Sequence, residues 1–236
     1  MNGIYGNPLF CQVAGTTLRP GGLKITERAL NLCRFSKDAV FLDIGCGCGG
    51  TVEFLQKVHG FQCEGIDPSK ELVSSGLRRC PDLRLGVNAC DALPYDGKRF
   101  DGVFMECTLS LTPRKKQRLS EAHRVLKPKG RLIISDLYAH EGSSPCASST
   151  SSEIRAFHME TLRAFIEAAG FHIVHFEDFT PVLKAFVASF ILEYGSAELL
   201  WNTLNGGTSS DEVQCGSTAF RGTQFGYFLL VAERIS

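Results

Sequence analysis

In Asp43-Ile44-Gly45-Cys46-Gly47-Cys48-Gly49-Gly50, glycines alternate with small residues at the end of the apolar run Phe41-Leu42. A turn without Cβ atoms lets a ligand lie directly against the main chain. Asp43 stands inside the apolar run, where a carboxylate is costly to bury unless it has something to hold. A second acid, Asp67, closes the next strand-like run, Cys63-Glu64-Gly65-Ile66, at 67 − 45 = 22 residues beyond Gly45. That is about the offset at which the acid of a βαβ unit receives a ribose diol. The two features together predict a ligand with a nucleoside at one end.

Elements of alternating type must hold these residues in place. Thr17-Leu18-Arg19-Pro20-Gly21-Gly22 reads as a turn before a helix from about Leu23 to Cys33. Strands are expected over Val40–Ile44, Phe61–Ile66, Leu83–Val87, Phe100–Met105, Arg131–Leu137, Phe171–Phe176 and Gly226–Ala232. Between them lie helical patterns over Thr51–His59, Glu71–Arg79 with Ser69 as its N-cap, Pro113–Leu126 and Met159–Ala169. Strands alternating with helices imply a doubly wound, mostly parallel α/β sheet with ligands at the carboxyl ends of the strands. Two segments break the alternation. Glu141–Ser152 is serine-rich and reads as a mobile loop, and apolar residues from Val182 to Tyr194 recur at helical spacing.

The composition narrows the partners. The 236 residues carry 25 Lys+Arg against 25 Asp+Glu, a balance that argues against nucleic acid as the default partner. No apolar run approaches the ~20 residues of a membrane span, and MNGIYGNPLFCQ has no signal-peptide pattern, so a cytoplasmic location is expected. The ten cysteines are scattered, with no Cys-x-x-Cys pair. They are expected to be mostly small buried apolar residues, with no metal site.

The glycine spacing admits two classes of ligand. Gly45, Gly47 and Gly50 satisfy the dinucleotide pattern, but Gly49 also gives Gly-x-Gly-x-Gly, and Asp43 lies outside the dinucleotide fingerprint. Asp-x-Gly-x-Gly-x-Gly resembles the first motif of class I S-adenosylmethionine-dependent methyltransferases. Cys90-Asp91-Ala92-Leu93-Pro94 followed by Phe100-Asp101, and Glu121 to Gly130 (EAHRVLKPKG), are similar to later motifs of the small-molecule, ubiquinone/menaquinone-biosynthesis type. Cys90 and Lys129 stand where that family usually has glycine.

The resemblance implies a seven-stranded sheet whose last strand runs antiparallel between strands five and six, with a helical insertion between strands six and seven. It implies one domain: an N-terminal lid and helix (1–34), a cofactor core (35–180), a helical cap (181–217) and the last strand (218–236). S-adenosylmethionine would lie against Asp43, Gly45, Cys46, Gly47, Gly49, Asp67, Pro68, Cys90, Asp91, Ala92 and Glu106. Asp91 would accept from the adenine amino group.

Methyl transfer by in-line displacement to a small molecule is the implied activity. The alternatives are a metalloid or macromolecular acceptor, or a non-catalytic accessory protein that binds the cofactor. Glu106 and His140, which follow strands four and five, are the candidate catalytic groups. Cys107, Asp136, Tyr138, Glu141, His158, Tyr5 and Arg19 are further candidates for site roles. A homodimer is left open.

Overall fold

The computed structural model describes residues 15–140, 158–195 and 224–235. Seven strands form one sheet: β1 (Val40–Ile44), β2 (Gln62–Asp67), β3 (Leu85–Val87), β4 (Phe100–Glu106), β5 (Leu126–Ala139), β6 (Phe171–Asp178) and β7 (Phe225–Arg234). The helices are α1 (Leu23–Cys33), α2 (Gly50–Glu53), α3 (Lys70–Arg79), α4 (Lys115–Val125), α5 (Met159–Ala168) and α6 (Thr180–Tyr194). Strand order is β3-β2-β1-β4-β5-β7-β6. β1 pairs in parallel with β2 and β4, and β4 with β5, whereas β7 is antiparallel to both β5 and β6. The expected architecture therefore holds, including the antiparallel last strand between the fifth and sixth.

The central strands are apolar on both sides, as a sheet covered on both faces requires. Phe41, Phe104, Ile133, Tyr227 and Leu229 face α1, α2 and α6. Their neighbours Leu42, Val103, Ile134, Phe228 and Leu230 face α4 and α5. Ser69 caps α3 as expected, its hydroxyl accepting from Leu72 N–H at 3.3 Å. The expected helix over Thr51–His59 is instead one α turn followed by a π-helical stretch, Phe54–Val58. The helix expected from Pro113 starts at Lys115, behind Arg114. Two basic residues then occupy its first turn, against the helix dipole.

The domain boundaries rest on segments that are only partly described. Within the stretch read as a cap, α6 is present. Tyr5, Glu141, the serine-rich segment to Ser152 and residues 196–217 lie outside the described residues.

Candidate functional site

The carboxyl ends of β1, β2 and β4 meet at the glycine turn. Gly45, Gly47 and Gly49 have φ of 81°, 56° and 80°, a region that L side chains avoid. At Gly45 a Cβ would also lie 2.3 Å from the Thr108 methyl, and at Gly49 2.8 Å from Leu85. Only glycine fits these positions. Asp67 is fixed by the turn it faces. Gly47 N–H donates to its Oδ2 at 2.9 Å and Ser69 N–H to its Oδ1 at 2.8 Å. Burial raises the Asp67 pKa and these two amides oppose the rise. Each oxygen keeps a lone pair, so the carboxylate can accept from two further hydroxyls at once.

Asp43 lies behind the turn, 3% exposed, and no hydrogen bond to its carboxylate comes from the described residues. Burial, then Glu106, hold its pKa well above the usual range; Arg19 opposes them. Pro68 follows Asp67 and leads into the cap of α3. Cys46 and Cys90 are buried, and the Cys46 thiol packs against Gly65. Cys90 has φ 63°, which explains why glycine suits that position, and its N–H is held by Asn88 Oδ1 at 2.8 Å. Asp91, next to Ala92, is held by two arginines of the α4 start. Arg114 Nη1 donates to one oxygen at 2.8 Å and Arg118 Nε to the other at 3.2 Å.

Glu106 ends β4 and is joined to a residue 87 positions earlier (106 − 19 = 87). Arg19 Nη2 lies 2.8 Å from Glu106 Oε2, with both side chains under 5% exposed. Two threonines bridge the pair. Thr26 accepts from Arg19 and donates to Glu106 Oε1 at 3.0 Å; Thr51 accepts from Arg19 at 3.1 Å and donates to Oε2 at 2.8 Å. Burial works against the Arg19 charge, but Glu106, with Tyr227 and Cys107 behind it, outweighs it and raises the pKa. Arg19 Nε is buried with no hydrogen-bond partner among the described residues. The sequence offered Arg19 only as a candidate for a site role. A lone arginine in a turn carries no signal for a partner so far along the chain.

The two residues predicted as catalytic are not brought together. His140 donates its main-chain N–H to Gln224 at 2.9 Å and packs its ring on Tyr138, on the β5–β7 side. Asp136, fully buried, accepts from the N–H groups of Ser110 and Leu137, both at 2.8 Å, and so ties the loop after β4 to β5. His158 precedes α5 as its N-cap residue, without a side-chain cap bond.

Comparison with known proteins adds the family. Residues 42–134 match the family model described as "Methyltransferase domain". Over those residues the chain is similar to a methyltransferase domain. Among curated proteins, it is 31% identical over 144 residues to an uncharacterized protein of Haemophilus influenzae, covering 56% of each. It is 27% identical to a phosphoethanolamine N-methyltransferase of Triticum aestivum, over 68% of this chain and 33% of that one. It is 25% identical to methyltransferase GfsG of Streptomyces halstedii, over 92% of this chain and 82% of that one. The chain thus spans about half and a third of the first two relatives' lengths. Of solved structures, the [4+2]-cyclase SpnF superposes with a TM-score of 0.75 at 21% identity, covering 98% and 93% of the chains. Phosphoethanolamine N-methyltransferase 2 of Haemonchus contortus, in complex with S-adenosyl-L-methionine, superposes at 0.74 and 18% identity, over 97% and 56%. At such identities the likeness is one of fold.

Such domains take S-adenosylmethionine, and the residues present fit it. The positive φ of Gly45, Gly47 and Gly49 keeps side chains out of the turn, and the carboxylates of Asp67 and Glu106 outnumber Arg19, the one buried guanidinium among the described residues. That excess of negative charge suits a ligand with an ammonium and a sulfonium.

Proposed function

We propose that this protein transfers a methyl group from S-adenosylmethionine to a small-molecule acceptor. The observation that carries the reading is Asp67, a buried carboxylate aimed by two backbone amides at the mouth of a glycine turn. The cofactor supplies an activated methyl on a sulfonium. What remains for the protein is to hold, align and exclude water. Asp67 accepts the ribose hydroxyls; Gly45, Cys46, Gly47 and Gly49 lie beneath the methionine portion; Pro68, Cys90, Asp91 and Ala92 flank the adenine. Asp91 already accepts from two arginines, so an adenine amino group would share its remaining lone pairs.

The structure alters what Glu106 can do. Its two oxygens already accept from Thr26, Thr51 and Arg19, three of about four lone-pair positions. We assign it to binding, with its free position open to the ligand's ammonium, rather than to proton abstraction. His140 lies toward the β5–β7 side, where the acceptor would enter, and is the remaining candidate base. A small-molecule acceptor also agrees with the relatives, among them enzymes named for phosphoethanolamine. No described helix is long and apolar enough to cross a membrane.

The test is calorimetric titration with S-adenosylmethionine, S-adenosylhomocysteine and NAD, followed by an acceptor screen with radiolabelled methyl donor. Micromolar binding of the first two without NAD is expected. Binding of NAD alone would return the glycine turn to the dinucleotide class.

A further inference from the structure

Helix α6 is apolar on more sides than the sheet covers. Its fifteen residues carry two charged side chains, Lys184 and Glu193. One stripe faces inward: Leu183 and Phe190 are buried, with Phe186 and Val187 packed beside them, in the cluster that holds Tyr227 and Leu229. A second stripe faces away. Pro181, Ala185, Ala188 and Leu192 recur at i, i+4, i+7 and i+11, so they share one face, and all four are exposed. Leu192 is 87% exposed, and Ile191, at the flank of that face, 38%. A surface helix carries a single apolar stripe, whereas a helix apolar all round belongs inside.

The path of the chain names what covers the second stripe. α6 begins beside β7, where Phe179 N–H donates to Tyr227 O at 2.7 Å and Tyr227 N–H to Thr180 Oγ1 at 3.3 Å. It runs for fifteen residues, about 22 Å at the helical rise, and stops at Gly195 with a left-handed φ of 77°. The chain is next described at Gln224, three residues before Tyr227. Three residues span at most about 10 Å, so Gln224 lies near the point where α6 began. Residues 196–223 therefore have to come back along the whole length of α6.

Their composition suits the exposed stripe. Leu199, Leu200, Trp201 and Leu204 all follow within nine residues of Gly195. A stretch of that length reaches up to about 30 Å, more than enough to lie over Ile191 and Leu192 in the last turn of α6.

We propose that residues 196–223 of the same chain dock on the outward face of α6, with 199–204 seated over Ala188, Ile191 and Leu192. The outward stripe is then an interface within one chain, between the two halves of the connection from β6 to β7. This docking does not depend on the methyl-transfer reading and stands or falls separately from it.

Trp201 is the only tryptophan of the chain, so its fluorescence reads the docking directly. Acrylamide quenching of the full chain is measured over a wide range of protein concentration, with sedimentation velocity at the same concentrations. The quenching constant of Trp201 should be at least three-fold below that of N-acetyltryptophanamide at every concentration. Ala188→Asp and Leu192→Asp should each raise it at least two-fold. Both side chains are exposed, so neither change disturbs the core beneath α6. Glu167→Gln, exposed on α5, should leave quenching unchanged. A Trp201 as accessible as the free indole overturns the docking, as does shielding unchanged in either aspartate variant. Shielding that fades on dilution as a dimer dissociates overturns it too, and would make a second copy of this chain the occupant.

Discussion

Glu106 offers the sharpest test of how this site is built. Its carboxylate and the Arg19 guanidinium are both under 5% exposed and 2.8 Å apart, so each is the other's main compensation for lost water. Replacing Glu106 by Gln keeps the shape and removes the charge. Among the described residues Arg19 then keeps only neutral acceptors: the hydroxyls of Thr26 and Thr51, the carbonyls of Gly22 at 3.3 Å and Thr17 at 3.5 Å, and the new amide oxygen. Breaking one side of a buried pair typically costs about 3–5 kcal/mol, against a total stability of about 5–15 kcal/mol. At about 2–4 °C per kcal/mol for a domain of this size, the melting temperature should fall by about 6–20 °C. Arg19→Met should cost a similar amount for the mirror reason. The double variant leaves no unpaired charge, so it should lose at least ~2 kcal/mol less than the sum of the single losses. Urea denaturation of the ligand-free protein measures all three. Losses below about 1 kcal/mol in both single variants, or additivity within ~0.5 kcal/mol, would refute the claim that the pair is mutually required.

Three other outcomes follow from the same structure. Asp67→Asn leaves one of the two backbone N–H groups facing an amide nitrogen and removes the charged acceptor. Affinity for S-adenosylhomocysteine should drop by about 1.5–3 kcal/mol, roughly 10–150-fold; a change within two-fold by calorimetry would remove Asp67 from the site. The Asp43 carboxyl binds a proton above the usual carboxylate range because it is buried beside Glu106, and a cationic ligand favours its charged form. S-adenosylmethionine binding should therefore release a proton, and affinity should rise with pH up through the raised pKa of the free protein. Calorimetry in buffers of different ionisation enthalpy reads the proton directly, and proton uptake or none would contradict the assignment. Lys129 is exposed at φ 64°, where the family usually has glycine. Relief of about 1–2 kcal/mol of strain outweighs the ~0.5–1 kcal/mol entropic penalty of glycine. Lys129→Gly should thus raise the melting temperature by a few degrees, and a fall would show that the turn is not strained.

What could be read from the sequence is what is local. The glycine turn, Asp67 and the Ser69 cap are each set by residues within a few positions of one another, and periodicity places Leu42 and Phe41 on opposite faces without any knowledge of the partner strands. The partners of Asp91, Glu106 and Cys107 are 23 or more residues away, and nothing in composition or spacing links them. Glu106 illustrates the consequence. Its position at the end of β4 marks it as a site residue, but only the fold shows that a guanidinium and two hydroxyls already hold it.

Tyr227 shows how topology creates what pattern cannot. Alternation with Leu229 and Val231 puts it on the inner face of the last strand. Were β7 parallel to β5, a residue near its start would lie at the far end of the sheet from the glycine turn. Because β7 runs antiparallel, pairing Leu137 with Tyr227 and Arg131 with Glu233, the start of the strand lies at the ligand end. The antiparallel insertion of the final strand is thus what brings a buried phenol beside Cys107, just past the end of β4. The ligand end of the sheet is therefore built by the last strand as well as by the segment that follows β4.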